Sequence, residues 1–171
     1  VRTGDDVYQV LTGNQIGILL TDYTIGAWKR AGKMPENGVI LKSLVSTEMA
    51  RTIAEANGLK CFDTFTGFKF LAQKKDQLEE SGEGTVLLAF EESNGYMFGS
   101  FVRDKDAVTA ALILTEMAAW YYDQGMTLYD ALMGLYAKYG FYAEKTLNLT
   151  MPGLDGLKKM AQLMADLREN P

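Results

Sequence analysis

The sequence contains no histidine, and this absence removes whole classes of active site. Ser-His-Asp and Cys-His catalysis, most zinc sites and imidazole proton relays all need that side chain. Acid and base chemistry within this chain would fall to carboxylates, lysines or tyrosines. The single cysteine, Cys61, has no partner for an internal disulfide. Its place in an apolar run predicts a small buried hydrophobic residue rather than a nucleophile.

Long apolar runs and basic runs are missing as well. No stretch of about 18 or more apolar residues is available to cross a bilayer. With 17 Lys and Arg against 22 Asp and Glu the net charge is −5, and no basic segment is present to displace counterions from a phosphate backbone. We therefore expect neither a membrane nor a nucleic acid as partner, and we expect a cytoplasmic protein. No G-x-G-x-x-G follows a predicted strand, which disfavours a dinucleotide site.

What the sequence does contain is an alternation of β-prone runs and amphipathic helices. Its 171 residues are 47% hydrophobic and 23% charged, which is typical of one sizeable globular domain. Strands separated by helices of this length predict an α/β fold, a three-layer α/β/α sandwich with a mainly parallel, mixed sheet of about four strands. The predicted strands cover 39–45, 60–65, 85–90 and 96–101.

The predicted helices follow from caps and from apolar stripes. Thr12 with Gln15 forms a capping-box pattern for a helix to about residue 30, and Ser46 or Thr47 is expected to cap the second helix. A third helix is predicted over 68–80, and Thr127 is expected to start a fifth. Asp104 is expected to cap the fourth helix, whose predicted inner stripe is Val108, Leu112, Thr115, Ala119 and Tyr122. The pattern also predicts a strand end over 7–11, an edge strand over 146–149, and a final amphipathic helix over 157–167.

Polar clusters follow three of the predicted strands, where ligands gather in parallel sheets. They are Ser46-Thr47, Thr66-Gly67, and the run of five residues at 91–95, which has the sequence Glu-Glu-Ser-Asn-Gly. Two carboxylates, a hydroxyl and an amide suit multidentate hydrogen bonding to a polyol, which predicts a sugar ligand. The same run is also compatible with a solvated turn in which Ser93 or Asn94 caps a short helix.

Five stretches together resemble the third domain of the α-D-phosphohexomutases, the phosphoglucomutase and phosphomannomutase superfamily. The resemblance covers roughly residues 8 to 142 and rests on 11–20, 41–47, 63–70, 90–96 and 103–107, in the family's order and spacing.

The resemblance implies a role for each of its polar motifs. Glu91, Glu92 and Ser93 would form the family's sugar-binding loop, and Thr66-Gly67 would approach the sugar as well. Lys105 would be a candidate for proton transfer or phosphate contact. Lys105 and its neighbour Arg103 are equally compatible with surface charges at the start of a helix.

The resemblance further implies a parent enzyme that interconverts hexose 1-phosphate and hexose 6-phosphate, with Mg and hexose 1,6-bisphosphate as its requirements. The family's phosphoserine loop, D-x-D-x-D-R metal loop and R-x-S-G-T phosphate loop are not in this sequence. We therefore expect no cofactor in this chain, no turnover by the chain alone, and the parent's other domains as partners. The start at Val1 suggests a cut from a longer protein.

The implied segments are a tail of the preceding domain over 1–10, the sugar-binding domain over 11–142, and an extension or linker towards the C-terminal domain over 143–171. Two alternatives stay open: a stand-alone sugar-phosphate binding module without catalysis, and a doubly wound domain with an interaction role.

Overall fold

Helices and strands alternate through most of the chain. The computed structural model describes residues 1–4, 6–145 and 149–170. The strands of this described part are β1 (Gly38–Ser43), β2 (Lys60–Thr64), β3 (Thr85–Glu91) and β4 (Gly95–Met97). Its helices are α1 (Gly13–Arg30), α2 (Met49–Ala56), α3 (Phe68–Glu80), α4 (Ala107–Tyr122), α5 (Leu128–Tyr139) and α6 (Gly153–Glu169).

The four strands form one mixed sheet in the order β2-β1-β3-β4. β1 pairs in parallel with β2 and β3, whereas β4 is antiparallel to β3. The chain moves outward from β1 to β2 and then returns past β1 to β3, so two right-handed crossovers must use opposite faces of the sheet. α2 and α3 accordingly pack on opposite faces, and the predicted three-layer α/β/α sandwich with about four strands is confirmed.

The two central strands are buried on both faces, which explains their continuous apolar sequence. β1 is buried along its whole length, and β3 along all but its first residue. Ile40, Leu88 and Phe90 pack in the larger core with α1, α2, α4 and α5. Leu41 and Ala89 lie in the smaller core under α3. The prediction that the run 85–90 lies in the middle of the sheet is therefore confirmed.

The capping residues predicted for two helices are seen in the structure. The side chain of Thr12 accepts from the backbone of Gln15 at 3.2 Å, and the Gln15 side chain accepts from the backbone of Thr12 at 2.9 Å. Thr127 and Asp130 form the same reciprocal pair at the start of α5. At α2 the Thr47 hydroxyl accepts from the backbone of Met49 at 3.2 Å, although the helix is formally preceded by Glu48.

The inner face predicted for α4 is wrong. Val108, Leu112 and Tyr122 are 80%, 64% and 80% exposed, and the buried residues of the helix are instead Ala110, Met117 and Tyr121. α4 is apolar around most of its circumference, so its sequence contains two apolar stripes and periodicity alone does not select the buried one.

Two strand ends and a cap also differ from the prediction. Within the described residues the run 7–11 lies outside the sheet and forms an isolated β-bridge, between Arg2 and Tyr8. β4 ends at Met97 rather than extending to 101. The cap of α4 is Asp106, not Asp104, and its carboxylate accepts from the backbone of Val108 at 3.0 Å.

The remaining predictions concern the cysteine and the end of the chain. Cys61 is buried, and burial raises the pKa of its thiol to about 12, as expected of a packing residue. The edge strand predicted over 146–149 falls largely on residues 146–148, which lie outside the described residues. α6 forms as a helix, but Leu157 and Leu167 are 67% and 52% exposed. Among the helices described, none combines the length and apolarity needed to span a membrane.

Candidate functional site

The polar segments that follow β1, β2 and β3 meet at the carboxyl edge of the sheet. The strands end at Ser43, Thr64 and Glu91, side by side in a parallel arrangement. Hydrogen bonds then join the segment after β3 to each of the other two, through Ser46 on one side and Gly67 on the other. The three clusters that the sequence predicts to converge do lie together.

The run from Glu91 to Gly95 is a β-hairpin connection. Glu91 pairs with Gly95, and three residues between them reverse the chain from β3 into β4. Asn94 has a φ of 63°, the left-handed conformation that closes a three-residue hairpin loop and that Asn tolerates well. β4, not a helix, follows this turn, so the alternative in which Ser93 or Asn94 caps a short helix is wrong.

Glu91 is held beneath the hairpin and is not a solvated carboxylate. It is 8% exposed, and its Oε1 accepts from the backbone N–H of Gly67 at 2.5 Å. Gly67 has a φ of 108° and immediately precedes α3, so this carboxylate lies at the positive end of that helix. The Glu91 side chain thereby fixes the Thr66-Gly67 turn against the hairpin.

Glu92 is held from the opposite side by the segment after β1. Its Oε2 lies 3.0 Å from the Ser43 hydroxyl and 3.2 Å from the Ser46 hydroxyl, and its backbone N–H donates to Ser46 Oγ at 3.1 Å. α1 also packs closely here, since a Cβ added to Gly13 would lie 1.9 Å from the Glu92 carbonyl oxygen. The base of the hairpin is therefore enclosed by three segments of the chain.

The tip of the hairpin and its near neighbours are exposed. Ser93, Asn94 and Thr66 are all exposed, so their hydroxyl and amide groups are accessible on the same edge. Lys105 is exposed too, with its Nζ 5.8 Å from the centre of the Phe68 ring and its side chain next to Gly95. All the site residues that the sequence predicts thus lie around one hairpin.

Arg103 differs from its neighbour Lys105. Its guanidinium forms an ion pair with Asp76 on α3. Among these two cations near the hairpin, Lys105 has no ion pair within the described part of the chain.

An ionic network around a buried lysine under the site is absent from the sequence-based prediction. Lys42 is fully buried, and its Nζ lies 2.6 Å from Glu48 Oε1, 2.9 Å from Asp63 Oδ1 and 3.1 Å from the Ser46 carbonyl oxygen. Arg51 completes the network with bonds to both carboxylates. The two cations of the network balance its two anions. A lysine inside an otherwise apolar strand is the sequence signal that could have revealed this network.

The network also sets the protonation of its most exposed acid. Burial opposes the charged form of Glu48, but the hydrogen bonds from Lys42 and Arg51 outweigh it and lower the pKa of Glu48 below its usual 4.5. The loop after β1 is thus anchored by a Glu48 carboxylate that stays ionised at neutral pH.

Glu144 is a third carboxylate near the edge that sequence reasoning missed. The Thr47 hydroxyl donates to its Oε1, and the Thr47 backbone N–H donates to Asn14 Oδ1 at 3.0 Å. Because the contact joins residues 97 positions apart, no local sequence pattern predicts it. A cleft of about 370 Å³ lies on the β2 side of the same edge, lined by residues that include Leu44, Thr64, Phe65 and Phe70.

The polar groups of this edge are able to bind a ligand through hydrogen bonds and charge. The edge offers exposed hydroxyl, amide and carboxylate groups for a polyhydroxylated ligand and the Lys105 ammonium group for an anionic one. The described residues contain no group of three or more His, Cys, Asp or Glu side chains arranged to hold a metal ion.

Comparisons with known proteins identify the family of this chain and agree with its fold. Residues 12–139 match the family described as phosphoglucomutase/phosphomannomutase, alpha/beta/alpha domain III. The phosphoglucomutases of Staphylococcus aureus strains N315 and MSSA476 are 36% and 35% identical over 159 residues, which are 93% of this chain and 28% of theirs. The chain therefore spans less than a third of the length of these curated relatives.

A solved structure agrees on the fold. A phosphomannomutase-type protein from Thermus thermophilus superimposes with a TM-score of 0.54 at 20% identity, over 71% of this chain and 25% of that chain. The family match covers well over half of the sequence, and the chain belongs to the phosphoglucomutase/phosphomannomutase domain III family.

Proposed function

We propose that this chain is the sugar-recognising domain of a longer phosphohexomutase that interconverts hexose 1-phosphate and hexose 6-phosphate. The observation that carries the proposal is the hairpin 91–95, which presents Ser93 beside the Glu92 carboxylate at the carboxyl edge of the sheet. Family membership and the identity to phosphoglucomutases supply the substrate class.

Each predicted site residue has a part in the proposal. Ser93, Glu92 and Thr66 bind hydroxyl groups of the hexose, because ionised and hydroxylic acceptors and donors on one surface match a polyol. Lys105 meets the phosphate or transfers a proton. Glu91 and Gly67 hold the two binding segments together through the hydrogen bond from the Gly67 N–H to Glu91 Oε1, and both lie at the proposed sugar site.

The longer enzyme supplies what this chain does not. Magnesium and hexose 1,6-bisphosphate belong to that enzyme, and residues 1–10, 11–142 and 143–171 are a preceding tail, the sugar-binding domain and a link to the next domain. Phosphoryl transfer depends on positioning and charge neutralisation, so this chain alone should not turn over. The proposed compartment is the cytoplasm, and the proposed partners are the hexose phosphate and the enzyme's other domains.

Steady-state kinetics of the full-length enzyme test this proposal. Ser93→Ala and Glu92→Ala should each lower kcat/KM by about 10-fold or more, the effect of losing a hydrogen bond to a substrate hydroxyl. Ser100→Ala, a change at another exposed serine, is the matched control and should leave kcat/KM unchanged. Full activity in both site variants would contradict the assignment of the hairpin.

A further inference from the structure

Two buried serines lie directly under the proposed sugar-binding hairpin. We infer that Ser43 and Ser46 are positioning residues that orient the Glu92 carboxylate toward the substrate, an inference that rests on the proposed function. Neither serine is accessible to a ligand, since they are 0% and 4% exposed. Any effect on substrate must therefore pass through Glu92.

The direction of each hydrogen bond between Ser43, Ser46 and Glu92 follows from the number of protons available. The two hydroxyls and Glu92 Oε2 form a triangle with sides of 2.7 Å (Ser43 to Ser46), 3.0 Å (Ser43 to Glu92) and 3.2 Å (Ser46 to Glu92). Glu92 Oε2 accepts, so the two hydroxyl groups supply two protons for these three contacts, and one contact carries no hydrogen bond. The two shortest contacts are satisfied when Ser46 donates to Ser43 and Ser43 donates to Glu92 Oε2.

This assignment closes a ring through the backbone. The Glu92 N–H donates to Ser46 Oγ at 3.1 Å, Ser46 donates to Ser43, and Ser43 donates back to the Glu92 carboxylate. Each hydroxyl then uses its proton once and accepts once. The ring fixes the Glu92 side chain relative to its own backbone, and within the described residues Glu92 Oε1 has no bonded partner, so it is left for a ligand hydroxyl.

Lys42 keeps the ring in place from below. Its ammonium donates to the Ser46 carbonyl oxygen at 3.1 Å, while the Ser46 N–H donates to the Ser43 carbonyl oxygen at 2.9 Å. Ser46 is therefore held at its backbone N–H, its carbonyl and its hydroxyl. A side chain restrained at every polar group can fix the group bound to it, as a positioning residue requires.

The geometry also ranks the two serines. Without Ser43, the Ser46 hydroxyl still lies 3.2 Å from Glu92 Oε2 and can donate to it directly. Without Ser46, the Glu92 N–H loses its acceptor and the ring is broken at two points. Ser46→Ala should therefore have the larger effect.

A double-mutant cycle in the full-length enzyme separates positioning from general structural support. The four proteins are the parent, Ser46→Ala, Glu92→Ala and the double variant. Ser46→Ala alone should lower kcat/KM about 10- to 100-fold, the size of losing the two hydrogen bonds that the Ser46 hydroxyl makes in the ring. In the Glu92→Ala background the same change should have no further effect. Ser43→Ala should show the same dependence with a smaller loss, and Ser100→Ala is the control.

The outcomes of this cycle separate the positioning role of the serines from the sugar-binding role of Glu92. An equal loss from Ser46→Ala with and without Glu92, or no loss in either background, overturns the positioning role and leaves the proposed function standing. Full activity in Glu92→Ala overturns the assignment of Glu92 itself and the inference with it. If Ser46→Ala does not fold, judged by its thermal unfolding, the cycle with Ser43→Ala decides in the same way.

Discussion

The base and the tip of the hairpin 91–95 have opposite surroundings. At the base, Glu91 and Glu92 each bind a neighbouring segment of the chain, and a fully buried lysine lies below them. At the tip, Ser93 and Asn94 are exposed. In the proposed function the base therefore shapes the site and holds the Glu92 carboxylate, while the tip presents exposed groups to the ligand beside it. Changes at the base should therefore affect stability as well as binding, and changes at the tip should affect binding alone.

The largest loss of stability is expected from Lys42→Met. The change removes a buried ammonium that binds two carboxylates and a carbonyl, and should lower the free energy of unfolding by about 2 to 3 kcal/mol. The effect stays below that of a fully buried pair because Glu48 and Asp63 are 54% and 37% exposed and can be solvated. Urea unfolding measures this free energy, and the exposed Lys60→Met is the control. Equal free energies of unfolding for Lys42→Met and the parent would refute the anchoring role of Lys42.

A pair of glycine substitutions tests how tightly α1 encloses the base. Gly13→Ala places a Cβ 1.9 Å from the Glu92 carbonyl oxygen, and because that atom is backbone the change should destabilise the fold by about 1 to 3 kcal/mol. Gly134→Ala, in α5 with nothing within 4 Å, should instead stabilise it by about 0.5 to 1 kcal/mol. Thermal unfolding should show a lower Tm for Gly13→Ala and a higher Tm for Gly134→Ala than for the parent. Tm shifts of the same sign would refute the close approach of Gly13 to the Glu92 carbonyl.

The ionic network should make stability depend on acid. Because the folded pKa of Glu48 is lowered, its contribution is present above its usual 4.5 and is lost as the pH falls through the folded pKa. Asp22 changes the pH dependence of stability in the opposite direction, since burial raises the pKa of its carboxyl group. Urea unfolding between pH 6 and about pH 3 should therefore show a weaker decline in Glu48→Gln than in the parent. Identical slopes would show that the network does not hold Glu48 in its ionised form.

The smallest effect on stability is expected at the tip. Ser93→Ala should change the free energy of unfolding by less than about 0.5 kcal/mol, because an exposed loop hydroxyl outside the packed core contributes little. The same chemical denaturation experiment measures it. A loss as large as that of Lys42→Met would show that the tip supports the fold as much as the base does.

The sequence predicts those parts whose cause is local. The capping box at Thr12 and the apolar runs of β1 and β3 are determined by neighbouring residues, so α1 and the central strands could be placed in advance. The convergence of the three polar loops follows from the parallel sheet. The buried face of α4 could not be predicted, because a helix with two apolar stripes is resolved only by its tertiary contacts.

Within the site, the predictable part was the set of polar residues and the unpredictable part was their bonding. Glu91 and Glu92 look equivalent in sequence, yet one binds the start of α3 and the other binds Ser43 and Ser46. Partners 24 to 49 positions away decide this difference, and no local pattern encodes them.

The most direct test of the central claim is an NMR titration of this chain with glucose 1-phosphate, glucose 6-phosphate and mannose 1-phosphate, with free ribose as control. We expect chemical-shift changes confined to residues 66–68, 91–96 and 103–105 that weaken in Ser93→Ala and are absent with ribose. Shift changes located elsewhere, or changes that are the same in Ser93→Ala and the parent, would contradict the claim that this hairpin recognises the sugar.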